Sequence, residues 1–324
     1  MKKFLTLALL LSAALLLSSC GTQTENASNE SSSDTYAPIH IAMMAALDAV
    51  PFYIAEAQGF FEAEGLDVTL ERFASGADRD AAFTATASMD GILIDALALA
   101  MYLEGGIDVV SISSTIGHAY VIGGYGRHSM DDLRGENVLI AFNTAMDYLL
   151  HVALEANGMT QSDVITQSVP SLPTRLELLL NDQAAAALIP QPLAQVAIDA
   201  GLNTITGTYE LGVNPFMLGF RRDSAEEKYE EIAALLRALN AAVDYLNDYS
   251  SARDDSGHLE PSELMSLIVD LVGFPESARQ MERLPVFPHF AQTYPFYIDD
   301  VFEFARYRGL LTLDISAADV IFSQ

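Results

Sequence analysis

The chain has 324 residues, 51% of them hydrophobic, with 16 Lys and Arg against 44 Asp and Glu and a formal charge of -28. A surface this acidic repels nucleic acid and anionic lipid head groups, which argues against both as partners. The single cysteine, Cys20, excludes an internal disulfide and a multi-cysteine metal site, so stability has to come from apolar packing.

In chain order the first element reads as a processed leader. Lys2 and Lys3 precede an apolar run from Phe4 to Leu17, followed by Leu17-Ser18-Ser19-Cys20-Gly21. The run is short of the ~20 residues that span a membrane, and the pentapeptide resembles the lipobox of bacterial lipoproteins. Residues 1–19 are therefore expected to be a signal peptide and Cys20 the lipidated residue. Residues 20–37 are polar and low in complexity, with Asn26, Asn29 and Ser31-Ser32-Ser33. Such a segment buries too little apolar surface to offset its ordering entropy, so it reads as a flexible tether. From Pro38 the composition is globular, and the remainder is longer than one compact core usually holds, which predicts two lobes.

Two stretches have the same plan. IHIAMMAALDAVPFYIAEAQGFF from Ile39 and NVLIAFNTAMDYLLHVALEANGM from Asn137 each run from an apolar strand through a short loop into a helix that stops at glycine. One spacing separates Asp48 from Asp147 and Gly59 from Gly158, and a second pairs Arg79 with Arg175, Asp95 with Gln191, Leu97 with Leu193, Ala98 with Ala194 and Gly105 with Gly201. Predicted strands lie at 91–94 and 184–189, then at 109–113 and 203–206, each set alternating with helices. That alternation implies mostly parallel sheets with right-handed crossovers. Two such halves make two α/β lobes facing a cleft, with ligand loops at the strand ends.

The expected lobes are residues 38–123 plus 216–324, and residues 124–215, joined by a two-stranded hinge. Gly123-Gly124-Tyr125-Gly126 reads as one crossover, and 214–216 as the return. After a strand at 216–220, Ser224 with Glu227 has the spacing of a capping box opening a helix. Ile232, Leu235, Leu236, Leu239, Val243 and Leu246 then recur on one helical face, as a core stripe would.

PFYIAEAQGFFEAEGLDVTL and DDLRGENVLIAFNTAMDYLLHVALEANGMTQSDV resemble the two landmarks of solute-binding proteins for nitrate, sulfonates, taurine and thiamine pyrimidine precursors, the NMT1/THI5-like family. The resemblance spans nearly everything from Ile39 to Phe322. It implies a type II periplasmic-binding-protein fold: two lobes, each a mostly parallel sheet flanked by helices, closing on a small molecule and delivering it to an ABC permease and ATPase. Enzymes share the fold, including pyrimidine synthase relatives associated with a cysteine-rich motif, which this chain lacks.

The loops at the strand ends nominate the ligand-binding set. Asp48, before the helix opened by Pro51, either compensates that helix's positive end or accepts from a ligand amine. Asp147 has the same two readings, and Asn143 and Thr144 either cap their helix or meet the ligand. Arg79 and Arg175 either pair with neighbouring carboxylates (Asp78 or Asp80, and Glu177) or grip an anion with forked donors. Asp95 and Gln191 close the set. Gln191 stands where the family has Glu, which puts a family-derived salt bridge in doubt. Phe52 and Tyr148 are rings beside these loops, available for stacking or for the core.

His118, His128 and His151 show no metal-ligand spacing, and no nucleophile elbow or phosphate loop occurs, so no metal, cofactor or catalytic residue is expected. The expected protein is an extracytoplasmic, lipid-anchored, monomeric solute-binding protein of an ABC importer and not an enzyme. Acidic and amide groups beside rings suit an amino-bearing heterocycle such as a thiamine pyrimidine precursor. The alternatives are a small organic anion, or a lyase or dehydratase using Asp95 or Asp147 as base.

Overall fold

The computed structural model describes residues 36–251, 261–280, 284–290 and 293–323, and in it the strands form two five-stranded sheets. The first sheet is entered through β1 (Ile39–Met44), α1 (Val50–Ala57), α2 (Phe60–Ala63), β2 (Val68–Phe73), α3 (Gly76–Ala85), β3 (Gly91–Asp95), α4 (Ala96–Glu104) and β4 (Val109–Ser114). The chain then crosses to the second: β5 (Ala119–Gly123), β6 (Asn137–Ile140), α5 (Ala145–Ala156), β7 (Ile165–Ser168), α6 (Leu172–Leu180), β8 (Ala186–Pro190), α7 (Leu193–Asp199) and β9 (Asn203–Gly207). It returns in β10 (Phe216–Arg221), and α8 (Arg222–Glu227), α9 (Tyr229–Ser251), α10 (Pro261–Ile268), α11 (Pro295–Tyr307) and α12 (Ala317–Val320) follow. No helix of the described residues is long and apolar enough to cross a membrane.

The sheet orders, β2-β1-β3-β10-β4 and β7-β6-β8-β5-β9, are one order written twice. In each, the fourth strand is antiparallel to its neighbours and has a register break against the edge strand, at Leu218/Gly219 and at Val121/Ile122. These fourth strands, β10 and β5, are exchanged between the halves of the sequence. The fold is the two-lobed type II architecture, each lobe a mostly parallel sheet with helices on both faces. Gly59 and Gly158 both adopt the left-handed conformation that ends their helices (φ 74 and 64), as the repeat requires.

Each sheet has apolar clusters on both faces. In the first lobe α1, α9 and α10 cover one face, and α4, α11 and α12 the other. In the second, α5 covers one face and α6 and α7 the other. The stripe predicted on α9 is core: Ile232, Leu235, Leu239, Val243 and Leu246 are buried, and Leu236 packs against them part-exposed.

Three expectations need correction. The first crossover is residues 115–118 rather than 123–126, because the unforeseen strand β5 pairs with β8 and β9 of the second sheet. By sheet membership the second lobe is therefore residues 119–207, with 208–215 as the return. Ser224 opens no helix: it lies inside α8, which has no side-chain cap, and α9 starts at Tyr229. Tyr36 and Ala37, expected in the tether, are part of the fold, since the Ala37 amide donates to Glu231 (3.1 Å) and Tyr36 packs on the first-lobe core. The signal peptide and Cys20 lie outside the described residues.

Candidate functional site

The two crossovers run side by side between the lobes. Thr115 N–H donates to Phe216 O (3.0 Å), the Asn214 side-chain amide to Thr115 O (2.7 Å), and Gln191 N–H to His118 O (2.7 Å). Gly117 is pressed against Phe216: a Cβ there would come within 2.3 Å of the ring, so the close approach requires glycine. Around this floor stand the strand ends that carry most of the nominated residues.

In the first lobe, Asp48 sits in a turn of 3-10 helix ahead of α1 and is buried. Burial pushes its carboxyl from 3.8 up to about 6, against the opposing pull of the Arg79 charge, local backbone N–H groups and Thr115. Arg79, on the first turn of α3, is held by Asp80 (2.7 Å) and donates to Leu93 O (2.7 Å). Asp80 in turn accepts from the Tyr102 hydroxyl at 2.8 Å. Asp95 ends β3 and caps α4, accepting from Leu97 and Ala98 N–H, both 3.0 Å. Its other oxygen accepts from Ala145 N–H of the second lobe at 3.1 Å. Burial raises the Asp95 carboxyl, and the Ala98 and Ala145 N–H groups work against that rise.

In the second lobe, Thr144 caps α5 and Asn143, with φ of 59, turns the chain into it. Asp147 accepts from Asn143 N–H (3.1 Å) and pairs with Arg308 of the first lobe at 2.7 Å. Arg175, on the first turn of α6, is 1% exposed and has no carboxylate partner among the described residues. It donates instead to the carbonyls of Val169 (3.0 Å), Leu188 (2.5 Å) and Pro170 (3.5 Å), and burial lowers its pKa to about 10. Arg79 and Arg175 thus occupy equivalent places, each bound to the carbonyl of the third residue of its lobe's third strand.

The structure therefore gathers Asp48, Arg79, Asp95 and the start of α5, and it gives three nominated residues other work. Phe52 is fully buried, edge-on to Phe290 at 5.6 Å in the first-lobe core, and offers no stacking face. Tyr148 is also buried, packed on Phe304 (5.6 Å) across the lobe boundary. Arg175 forms neither the ion pair with Glu177 nor a free anion grip, because backbone carbonyls surround its guanidinium. The ring left exposed in the loop after β6 is Phe142, 41% accessible and not foreseen.

Also unforeseen are Thr115, His118, Tyr120 and Asn214 on or beside the crossovers. Burial lowers the His118 pKa against the pull of Glu210, and raises that of Tyr120, which the Gln191 side chain lies close enough to oppose. The sequence signal for them was the crossover itself, read at 214–216 for one strand but eight residues late for the other. Among the described residues no group of three or more His, Cys, Asp or Glu side chains is placed to hold a metal ion.

A model of the family described as NMT1/THI5 like matches residues 47–250. A protein of Brucella abortus (strain 2308), whose name describes it only as a candidate binding protein, is 29% identical over 202 residues, 59% of this chain and 61% of its own. The chain thus spans about three fifths of the length of the curated relatives it matches. The periplasmic aliphatic sulphonate binding protein of Escherichia coli is similar in structure, with a TM-score of 0.74 at 14% identity, over 88% of this chain and 92% of that one. The periplasmic nitrate-binding protein of Synechocystis PCC 6803 has a TM-score of 0.68 at 15% identity, over 88% and 85% of the two chains.

Proposed function

The chain belongs to the NMT1/THI5 like family, and from that premise we propose that it is an extracytoplasmic solute-binding protein of an ABC importer, acting as a monomer. Its anchor is a lipid on Cys20, and Cys20→Ser releases it into the soluble extracytoplasmic fraction. The ligand enters between the lobes, and closure of the cleft around it is the signal to the permease.

The ligand is an amino-bearing heterocycle of the kind that furnishes the thiamine pyrimidine. One observation carries this choice: both nominated arginines are engaged by protein groups, while the buried Asp48 carboxyl is left with a raised pKa beside amide and hydroxyl groups. A site of that kind accepts hydrogen bonds, and an amine supplies them. Phe142 is the ring available to stack on the heterocycle. The sulphonate and nitrate binders that share the fold bind anions, which need cationic groups that here are already committed. The two positions nominated for a catalytic base are otherwise engaged, Asp95 by backbone N–H groups and Asp147 by Asn143 N–H and the Arg308 ion pair, which favours binding over catalysis.

The test is titration of ligand-stripped protein with the hydroxymethyl aminopyrimidine of thiamine, with ethanesulfonate and nitrate as anionic rivals. The aminopyrimidine binds, and Asp48→Asn weakens it roughly ten- to a hundred-fold, as loss of a charged hydrogen bond does. Tight binding of either anion with no response to the pyrimidine overturns the ligand and keeps the transport reading.

A further inference from the structure

Three buried side-chain oxygens around the crossovers have no hydrogen-bond partner among the described residues: Thr115 Oγ1, Asn214 Oδ1 and Gln191 Oε1. They come from distant parts of the sequence, and the fold brings Thr115 and Asn214 into contact and Gln191 onto the first crossover at His118. A buried polar atom left unpaired costs free energy, so native structures pair nearly all of them or reserve them for something else. The orientation of Asn214 is fixed, because its amide nitrogen donates to Thr115 O at 2.7 Å and a carbonyl can only accept. Its oxygen is therefore the free atom. Thr115 is 1% exposed, and its hydroxyl lies near enough to Asp48 to favour the charged carboxylate without meeting it in hydrogen-bond geometry. Gln191 follows β8 in the second lobe, its side chain beside Tyr120 and its backbone N–H tied to the first crossover through His118 O at 2.7 Å.

We propose that the hinge itself reads the ligand: Thr115 and Asn214 on the two crossovers, with Gln191 from the second lobe, hold the donor edge of the bound molecule. The inference rests on the solute-binding reading above and deepens it. Two of the three atoms are amide oxygens that only accept, and the third is a hydroxyl that accepts or donates. The molecule they select therefore presents at least two N–H or O–H donors along one edge, as an amino heterocycle does, and a fully deprotonated anion such as nitrate does not. A ligand bonded to both crossovers also fixes the backbone that must turn when the lobes open. Binding and closure then share the same contacts, and no separate relay between site and hinge is needed.

Thr115→Val and Gln191→Met, which keep size and remove the unpaired oxygen, test this in the stripped full chain. If the oxygens are reserved for ligand, neither substitution lowers the melting temperature of the ligand-free protein, and each weakens the aminopyrimidine about ten-fold. Asn214→Leu, which also frees Thr115 O, weakens it further. Wild-type affinity in both isosteric variants overturns the proposal and leaves the solute-binding reading standing. If wild type binds no aminopyrimidine, the ligand reading fails by itself, and the melting temperatures decide this one. A fall in both variants then means that the oxygens are satisfied within the protein and overturns it, whereas unchanged or raised values support a reserved set.

Discussion

The Asp95 carboxylate of one lobe accepts a 3.1 Å hydrogen bond from the Ala145 N–H of the other, while its second oxygen caps its own helix. One side chain thus ties the start of α4 to the start of α5 across the cleft. The Asp147–Arg308 pair and the Tyr148–Phe304 packing lie along the same wall, so the lobes touch through three kinds of interaction that differ in their response to mutation.

Asp95→Ala removes the cap and leaves the Ala145 N–H without its acceptor. Loss of a cap costs ~1 kcal/mol and the second bond a similar amount, so thermal unfolding should show a fall of about 2 kcal/mol. Solution scattering of the ligand-free variant should show a larger radius of gyration than wild type.

Arg308→Gln strands a buried carboxylate. Asp147 is 1% exposed and its partner about a quarter exposed on the side chain, so the loss should approach the ~3 kcal/mol typical of breaking a buried pair. The double variant Arg308→Gln with Asp147→Asn should recover much of it, which a simple loss of packing would not allow.

Asp48 gives the protein a pH signature. Its folded pKa, about 6, stands above 3.8, so between those values the folded state binds the extra proton. This carboxyl's contribution to stability therefore falls as pH rises from about 4 to 6, by something on the order of 3 kcal/mol. Asp48→Asn should flatten that limb and be the more stable form at pH 7, a result that denaturant titrations at pH 4 and 7 would check.

Arg175→Gln should act on folding and not on ligand choice. The guanidinium satisfies carbonyls at the end of β7 and in β8, and their loss inside the second lobe should cost ~2–3 kcal/mol. The folded fraction should keep the wild-type preference between aminopyrimidine and ethanesulfonate in calorimetric titration.

Phe142→Ala should weaken the aminopyrimidine about ten-fold, the scale of a lost ring contact, with little change in melting temperature, because the ring is already 41% exposed. Phe52→Ala should do the reverse, destabilising by ~3–5 kcal/mol.

The repeat, the strand–helix alternation and the apolar stripe of α9 were legible in the sequence because each is a local periodicity or a spacing. Residue spacing also nominated Asp48, Asp95 and the α5 cap, since a loop between strand end and helix start lies at the sheet edge whatever surrounds it. The short strands β5 and β7 were not legible. Their residues have no strong alternation, and β5 is a strand only because the second sheet presents β8 and β9 to it. Nor could the sequence say what a side chain would meet. Pro-Phe-Tyr-Ile occurs twice, opening α1 and again opening α11. In the first copy Phe52 is fully buried, and in the second Phe296 is 54% exposed. Identical residues in the first turns of two helices part company because burial depends on what packs against the helix, and those partners come from elsewhere in the chain. Arg175 and Arg79 divide for the same reason, the first meeting carbonyls alone and the second a carboxylate as well as a carbonyl. The sequence determined the two lobes and the edge where they meet. Only the tertiary structure decided which side chains at that edge remain free, because a hydrogen bond or a ring contact is settled by distances of a few ångströms between segments a hundred residues apart.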